Sequence, residues 1–250
     1  MKLTFLGTAD VRPRVDANCS ATLLEVGDAL YLIDAGAPVS ELLLRHGKNP
    51  ERIRGIFITH GHADHFEGIV PLLSRCYHVY PHADMEIVFP NEPQAMALRT
   101  FCEALYHGKP FPTDRLRFHV PTEGVCATVY DDGVLKATYI PVSPYEGTPH
   151  FAILLEAEGK SLLFTGDLSE GLKDGDFPRV ALERDLDLIV CEYAHVLSEH
   201  LDPCIEKCKA KRICFNHYAG WRRDELAAMT SDPKYKIPLR AMQDGDEIEL

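Results

Sequence analysis

Ile53-Arg54-Gly55-Ile56-Phe57-Ile58-Thr59-His60-Gly61-His62-Ala63-Asp64-His65 joins a short β-branched apolar run to a loop that carries three imidazoles and one carboxylate within six residues. The run from Ile53 to Thr59 reads as a buried strand that delivers the histidines at its carboxyl end, and Gly61 lets the backbone turn tightly between the first two. A regular strand points successive side chains to opposite faces, so a loop is needed to bring all four inward. Imidazole and carboxylate together suit zinc or a similar first-row ion, whereas a hard cation is held mostly by oxygen. The alternative is a helix cap, with Asp64 capping a helix that starts near His65 and the histidines exposed. That reading leaves the clustering unexplained.

Outward from this stretch the pattern is of strands interleaved with helices. Met1 to Gly7 reads as a strand ending in a glycine turn, and Ala21 to Val26 with Ala29 to Ile33 as a hairpin closed by Gly27-Asp28. Both lead to Asp34-Ala35-Gly36. Val39 to His46, Phe66 to Leu73 and Gln94 to His107 have helical spacing, and the stretch between the last two carries no assignable element. Strands return at Leu116 to Val120, Val125 to Tyr130, Val134 to Val142, Phe151 to Glu156 and Ser161 to Phe164, with Asp132-Gly133 and Glu158-Gly159 as turns. The last third alternates strand (Leu186 to Cys191), helix (Asp202 to Lys209), strand (Lys211 to Phe215) and helix (Arg223 to Met229). With no internal repeat or low-complexity linker, this rhythm predicts an α/β fold of two packed sheets with helices on their outer faces, residues 1–250 forming one domain.

Composition bounds the function. The 250 residues are 46% apolar, the share a packed core needs. No charged-then-apolar leader and no apolar run near the roughly 20 residues of a bilayer span stands in the sequence, so a cytoplasmic protein with no membrane partner is expected. The eight cysteines are scattered and read as reduced thiols. Cys204 and Cys208 can share a helical face, but small buried hydrophobes are the commoner use of such residues. A formal charge of −12 repels polyanions, which favours a small-molecule substrate over a large nucleic acid without excluding a small phosphodiester. Homo-oligomerisation is left open.

The histidine segment resembles the metallo-β-lactamase superfamily, whose signature is His-x-His-x-Asp-His after a strand. Further similar stretches follow in order: Leu32-Ile33-Asp34-Ala35-Gly36, Phe164-Thr165-Gly166-Asp167 and Phe215-Asn216-His217. The resemblance implies a four-layer αββα sandwich with two divalent metal ions at one edge, zinc first, with manganese or iron as alternatives. Carried over residue by residue, it implies one ion on His60 and His62, a second on Asp64, His65 and His217, and Asp167 touching both. Asp34 would orient the ligand loop rather than bind metal. Independently of the family, Asp167 and His217 each follow a short apolar strand, as His60 does. Taken singly, Gly166-Asp167 is an ordinary turn and His217 a strand-end histidine; beside the histidine cluster both read as ligands.

In one respect the sequence departs from the family pattern. A further histidine is usual at the strand end before the Gly-Asp motif, and here Val142-Ser143-Pro144 stands there instead. If Thr138 to Val142 pairs antiparallel with Phe151 to Leu155, the Ser143 to Pro149 link is a loop and His150 lies across from the missing position. His150 is therefore the expected substitute, against the alternative of a pocket or surface residue beside a weakly held ion.

Glu192, Tyr193, His195 and His200 follow an apolar strand. In ribonuclease Z-like members a Glu and a His from this region assist proton transfer, and Cys191-Glu192 and Glu199-His200 are loosely similar; a helix cap or a surface histidine is the alternative. Trp221, the single tryptophan, reads as core packing, although Asn216 to Trp221 can also line a pocket.

The implied chemistry is hydrolysis by a metal-bound hydroxide, with Asp64 or Asp167 orienting the water and His195 or His200 protonating the leaving group. Leu6-Gly7-Thr8, Thr165-Gly166-Asp167 and Asp244 to Leu250 look similar to the ribonuclease Z and cyclic-phosphodiesterase branch, so a small phosphodiester is the expected substrate. A lactone, thioester or β-lactam hydrolase on the same dinuclear site is the enzyme alternative. A non-catalytic metal-binding sensor is the alternative of another class.

Overall fold

Along β2 (Ala21–Val26) and β3 (Ala29–Ile33), Leu23, Leu30 and Leu32 pack into one core while Leu24, Tyr31 and Ile33 pack into another. A sheet apolar on both faces needs a layer on each, and alternation alone makes this sheet internal. The computed structural model describes residues 1–12, 14–105, 109–142, 148–172 and 176–250.

Among these residues the first sheet adds β1 (Lys2–Gly7), β4 (Ile53–Phe57), β5 (Met85–Val88) and β6 (Leu116–His119), and ends on β14 (Glu247–Glu249). Its order is β14-β1-β2-β3-β4-β5-β6. The second sheet comprises β7 (Ala127–Asp131), β8 (Lys136–Val142), β9 (His150–Ala157), β10 (Lys160–Phe164), β11 (Leu188–Glu192), β12 (Ile213–Asn216) and β13 (Leu239–Ala241). Its order is β13-β12-β11-β10-β9-β8-β7.

Phe5, Tyr31, Phe57 and Val88 of the first sheet meet Tyr139, Phe151, Phe164 and Val190 of the second in a central core. Outside the first sheet pack α1 (Val39–Arg45), α3 (Ile69–His78) and α4 (Glu92–Leu105), through Leu43, Leu72 and Leu98. The second sheet is covered by α5 (Val180–Glu183), α6 (Ser198–Lys207) and α7 (Arg223–Thr230), through Ala181, Leu201 and Leu226. This is the four-layer αββα sandwich expected from the sequence.

Strand direction gathers the chemistry at one edge. β3 runs parallel to β4, and β10, β11 and β12 run parallel to one another, so Asp34, His60, Asp167, Glu192 and His217 stand at or just beyond carboxyl ends. β9 is antiparallel to β10, and its first residue, His150, comes to the same edge. The anticipated β8–β9 pairing is present, with Val142 opposite His150; Ser143 to Gly147 lie outside the described residues.

Several boundaries differ from the sequence reading. The helix expected over Phe66 to Leu73 is two helices, α2 (Ala63–Phe66) and α3, broken at Gly68, whose N–H donates to the Ala35 carbonyl at 2.9 Å. A Cβ at Gly68 would stand 2.7 Å from that oxygen, so the chain is pressed against the Asp34-Ala35-Gly36 turn. β5, β13 and β14, with four, three and three residues, are too short for periodicity to reveal. The helix expected from Asp202 begins at Ser198, its first turn tied by the Leu197 N–H donating to His200 Nδ1 at 3.2 Å. The helix expected to reach His107 is described to Leu105, and His107 lies outside the described residues.

Candidate metal centre

After β4 the chain leaves the strand at Thr59 and forms an isolated antiparallel bridge between His60 and His150, tying the two sheets together. The Phe151 N–H donates to the Thr59 carbonyl at 3.0 Å across the same junction. The His60 and His150 rings stack with centroids 4.3 Å apart. His60 Nε2 is 3.0 Å from His62 Nδ1, and His60, His62 and His150 form one group able to hold a metal ion, each offering an atom within 4.8 Å of the others. The Thr148 carbonyl accepts from His150 Nδ1 at 2.9 Å, which assigns that ring's proton to Nδ1.

A second group is Asp64, His65 and His217. His65 Nε2 and His217 Nε2 are 3.1 Å apart, and His217 Nε2 is 3.2 Å from Asp64 Oδ2. Asp167 stands between the groups, with Oδ2 3.4 Å from His60 Nε2 and Oδ1 3.4 Å from both His65 Nε2 and His217 Nδ1. Asp34 belongs to none of the candidate groups found among the described residues. It accepts from the Thr59 N–H at 2.9 Å and from His65 Nδ1 at 2.8 Å, so it holds the loop and turns His65 Nε2 inward.

Backbone strain accompanies this convergence. Asp34 and His217 have φ of 56° and 46°, a region that costs a non-glycine residue about 1–3 kcal/mol. Gly166, at φ 61°, sits where a Cβ would meet the Phe151 carbonyl at 2.6 Å, so glycine is required for Asp167 to reach the centre.

The electrostatics divide the cluster. Burial, reinforced by the neighbouring imidazoles, drives His60 well below the ordinary histidine range; burial also lowers His150, against the Thr148 carbonyl. Burial pulls His217 the same way, but Asp167, Asp64 and Glu192 outweigh it and hold that ring up to about 10. His65 is likewise raised, burial being overcome by Asp167 and Asp34. Asp64 and Asp167 stay ionised against burial because His217 and His65 face them. His60 and His150 are thus biased towards neutral imidazole lone pairs, whereas the field around His65 and His217 favours positive charge.

Both conditions suit a bound cation. The buried Asp167 Oδ1 and His217 Nδ1 have no hydrogen-bond partner, which native interiors rarely tolerate without a ligand or ion. Donor types and geometry thus fit a first-row divalent metal.

The centre floors a cleft of about 480 Å³ lined also by Asp10, Val11, Arg12, Ala194, His195 and Trp221. A second cavity of about 480 Å³, beside Asp202 and Tyr235, gathers no comparable donor set among the described residues. His195 joins Asp167 and His217 in a further candidate group, its Nδ1 3.7 Å from Asp167 Oδ2 and 3.4 Å from Glu192 Oε1. Glu192 is buried and accepts from the Leu168 N–H at 3.1 Å, from the His195 N–H at 3.0 Å and from the Ala194 N–H. It positions the turn that carries His195. His200 is not brought to this cluster; its described contacts are with Leu197 and Glu199.

One contact went unseen in the sequence: Gln94 donates through Nε2 to the Gly61 carbonyl at 2.9 Å and so braces the ligand loop from α4, which no local pattern signals. Trp221, for which the sequence offered core packing first and a pocket lining second, is 65% exposed and lines the cleft. The adjacent Arg222 is buried instead, stacked 4.2 Å from the Tyr193 ring and donating to the Tyr193 and Ala194 carbonyls at 3.1 Å. The single turn over Gly220–Arg222 sends these neighbours to opposite sides.

The chain is similar to several known proteins. Ribonuclease BN of Cronobacter sakazakii is 32% identical over 147 residues, covering 57% of this chain and 46% of that protein. Ribonuclease Z of Pyrococcus furiosus is 33% identical over 73 residues, or 29% and 24%. The matched stretches thus span less than half the length of these curated relatives. Among solved structures, human tRNase Z, short form, superposes with a TM-score of 0.75 at 22% identity over 100% of this chain and 99% of its own. A diphosphatase from the PhnP family gives 0.69 at 20% identity over 100% and 97%. At such identities these two structures carry the fold alone. A family profile described as the metallo-beta-lactamase superfamily matches residues 14–197, and on that match, with the fold superposing along its whole length, this chain belongs to the metallo-β-lactamase superfamily.

Proposed function

We propose that this chain is a metal-dependent phosphodiester hydrolase, residues 1–250 acting as one domain around a dinuclear centre, with zinc the first choice and manganese or iron the alternatives. The observation that carries this reading is the convergence of His60, His62 and His150 on one side of Asp167 and of Asp64, His65 and His217 on the other, at the floor of an open cleft. The two triads would each hold an ion and Asp167 would contact both. When bound, such ions supply Lewis acidity and a water that ionises near neutral pH.

The chain's own residues do the rest. Asp34 and Thr59 hold the ligand loop, and Asp167 orients the attacking water. Burial depresses the His195 imidazole, but Glu192 and Asp167 outweigh it and raise its pKa. His195, at the cleft beside Asp167, is placed to supply the proton that the departing alkoxide needs when the P–O bond breaks. His200 has no assigned part in this scheme. The eight cysteines are free thiols, which fits a reducing, cytoplasmic setting. No helix among the described residues is long and apolar enough to cross a membrane.

The names ribonuclease Z and ribonuclease BN among the relatives support phosphodiester chemistry over lactone, thioester or β-lactam hydrolysis, and they favour RNA as a second substrate reading. The charge of −12 favours a small diester. Assaying the metal-loaded protein on bis-p-nitrophenyl phosphate, a lactone, a thioester and a precursor tRNA separates these readings. Turnover of the diester well above the rate of metal in buffer is expected; a rate equal to that background defeats the proposal. His150→Ala is expected to lower bound metal from two ions to one, and full retention of both removes His150 from the ligand set.

A further inference from the structure

The mouth of the cleft differs chemically from its floor. Arg12 is the single Arg or Lys among the described residues that line it, and its guanidinium carbon lies 4.1 Å from the centroid of the Trp221 ring. The indole is 65% exposed and the Arg12 side chain 60% exposed. Neither contributes to a core.

Arg12 is nevertheless held in place. Its Nη1 donates to Asp10 Oδ2 at 2.7 Å and its backbone N–H to Asp10 Oδ1 at 3.2 Å, and Asp10 is only 2% exposed. The loop carrying both residues is anchored in turn by Asp244. That carboxylate accepts from the backbone N–H and hydroxyl of Thr8 at 2.9 and 2.8 Å, and from the backbone and side-chain N–H of Asn18, both at 2.7 Å. The remaining guanidinium nitrogens of Arg12 donate to nothing among the described residues.

A planar cation layered on an indole presents a flat, polarisable surface with donors at its edge. Heteroaromatic rings stack on such surfaces, and phosphate oxygens accept from such donors. Placed at the rim of a centre that acts on phosphodiesters, the pair selects a ligand combining a ring and a phosphate. We propose that Arg12 and Trp221 form a stacking platform for the base of a nucleoside phosphate ester, and that the small diester cleaved in this cleft is nucleotidic. The inference rests on the phosphodiesterase reading and sharpens it. One fixed cation in a chain of net charge −12 suits one or two phosphates rather than a polyanion.

Trp221 is the only tryptophan, so intrinsic indole fluorescence reports on this platform alone. Titrating metal-loaded protein with adenosine 5′-monophosphate is expected to quench that emission saturably, whereas ribose 5-phosphate, with the same phosphate and no base, leaves it largely unchanged. Arg12→Ala is expected to weaken adenosine 5′-monophosphate binding about tenfold, within the range of one base-stacking contact. In turnover, kcat/KM for thymidine 5′-(p-nitrophenyl phosphate) relative to methyl p-nitrophenyl phosphate is expected to fall about tenfold in Trp221→Ala, chiefly through KM, and to recover in Trp221→Phe. Equal quenching by both phosphates, or a substrate ratio unchanged in Trp221→Ala, overturns the proposal. Base-dependent quenching without turnover of either diester supports the platform and defeats the hydrolase reading. Turnover of both diesters with no base dependence does the reverse.

Discussion

The two ends of the sandwich treat their carboxylates in opposite ways. At the β7–β8 end every oxygen of Asp132 is engaged: Oδ2 accepts from the hydroxyls of Tyr31 at 2.7 Å and Tyr130 at 3.0 Å, and Oδ1 from the N–H groups of Val134 and Leu135 at 2.9 and 2.8 Å. At the His150 end, Asp167 Oδ1 and His217 Nδ1 face each other at 3.4 Å without a hydrogen bond, and Asp34 and His217 occupy strained backbone. A satisfied carboxylate rigidifies the fold. A convergent, unsatisfied set raises the energy of the protein alone and lowers it when a cation enters. The contrast separates residues that hold the sheets together from residues kept ready for chemistry.

The sharpest break of that contrast is Asp167→Asn, which removes the charge of the carboxylate standing between the two groups. Phosphodiester kcat/KM is expected to fall about 10³-fold or more, the scale of several kcal/mol of lost charge stabilisation. The rise in melting temperature that zinc gives the chelator-treated wild type should shrink in this variant, because stabilisation by a ligand follows its affinity for the native state. A variant with wild-type turnover and zinc response would show that the unsatisfied end is not a metal centre.

Asp132→Ala should do the converse, costing about 1–3 kcal/mol in urea unfolding by removing the acceptor that the buried Tyr31, Tyr130 and Leu135 share, with bound metal per folded molecule unchanged. Its pH signature follows from the sign of the shift. Burial pushes the Asp132 carboxyl up, but the donors from Leu135, Tyr31, Val134 and Tyr130 outweigh it and the pKa is lowered. The stabilisation is therefore fully present above the unfolded value of about 3.9 and is lost as pH falls through the lower native value. Below about pH 4 the wild type should lose stability more steeply than Asp132→Asn, and parallel curves would deny this carboxylate its structural part.

The smallest effect is expected from Gln94→Leu, which deletes the brace on Gly61 and leaves every ligand in place. Metal affinity should fall about tenfold, as when an outer partner of a ligand is lost, with little change in melting temperature of the metal-free protein. Unchanged affinity in a competition titration would show that the loop holds itself.

Much of the architecture was legible because strands carry their burial in their alternation. Leu30-Tyr31-Leu32-Ile33 states two buried faces outright, and His60 to His65 states its chemistry in six consecutive residues. Elements of three or four residues, such as β5 and β14, fall below the length at which a period can be read. The break between α2 and α3 was hidden because Gly68 answers to a carbonyl that lies some thirty positions upstream, at Ala35.

What the amino-acid order alone determined is therefore local: which segments alternate, which loop concentrates donors, and the family to which those motifs are similar. Only the tertiary structure decided that His150 would stack on His60, that Gln94 would reach Gly61, and that Trp221 would face the cleft while Arg222 turned inward. The physical reason is that donor type and periodicity are properties of neighbouring residues. Register between strands and exposure of a turn depend on partners far along the chain, whose positions exist only once both sheets have packed.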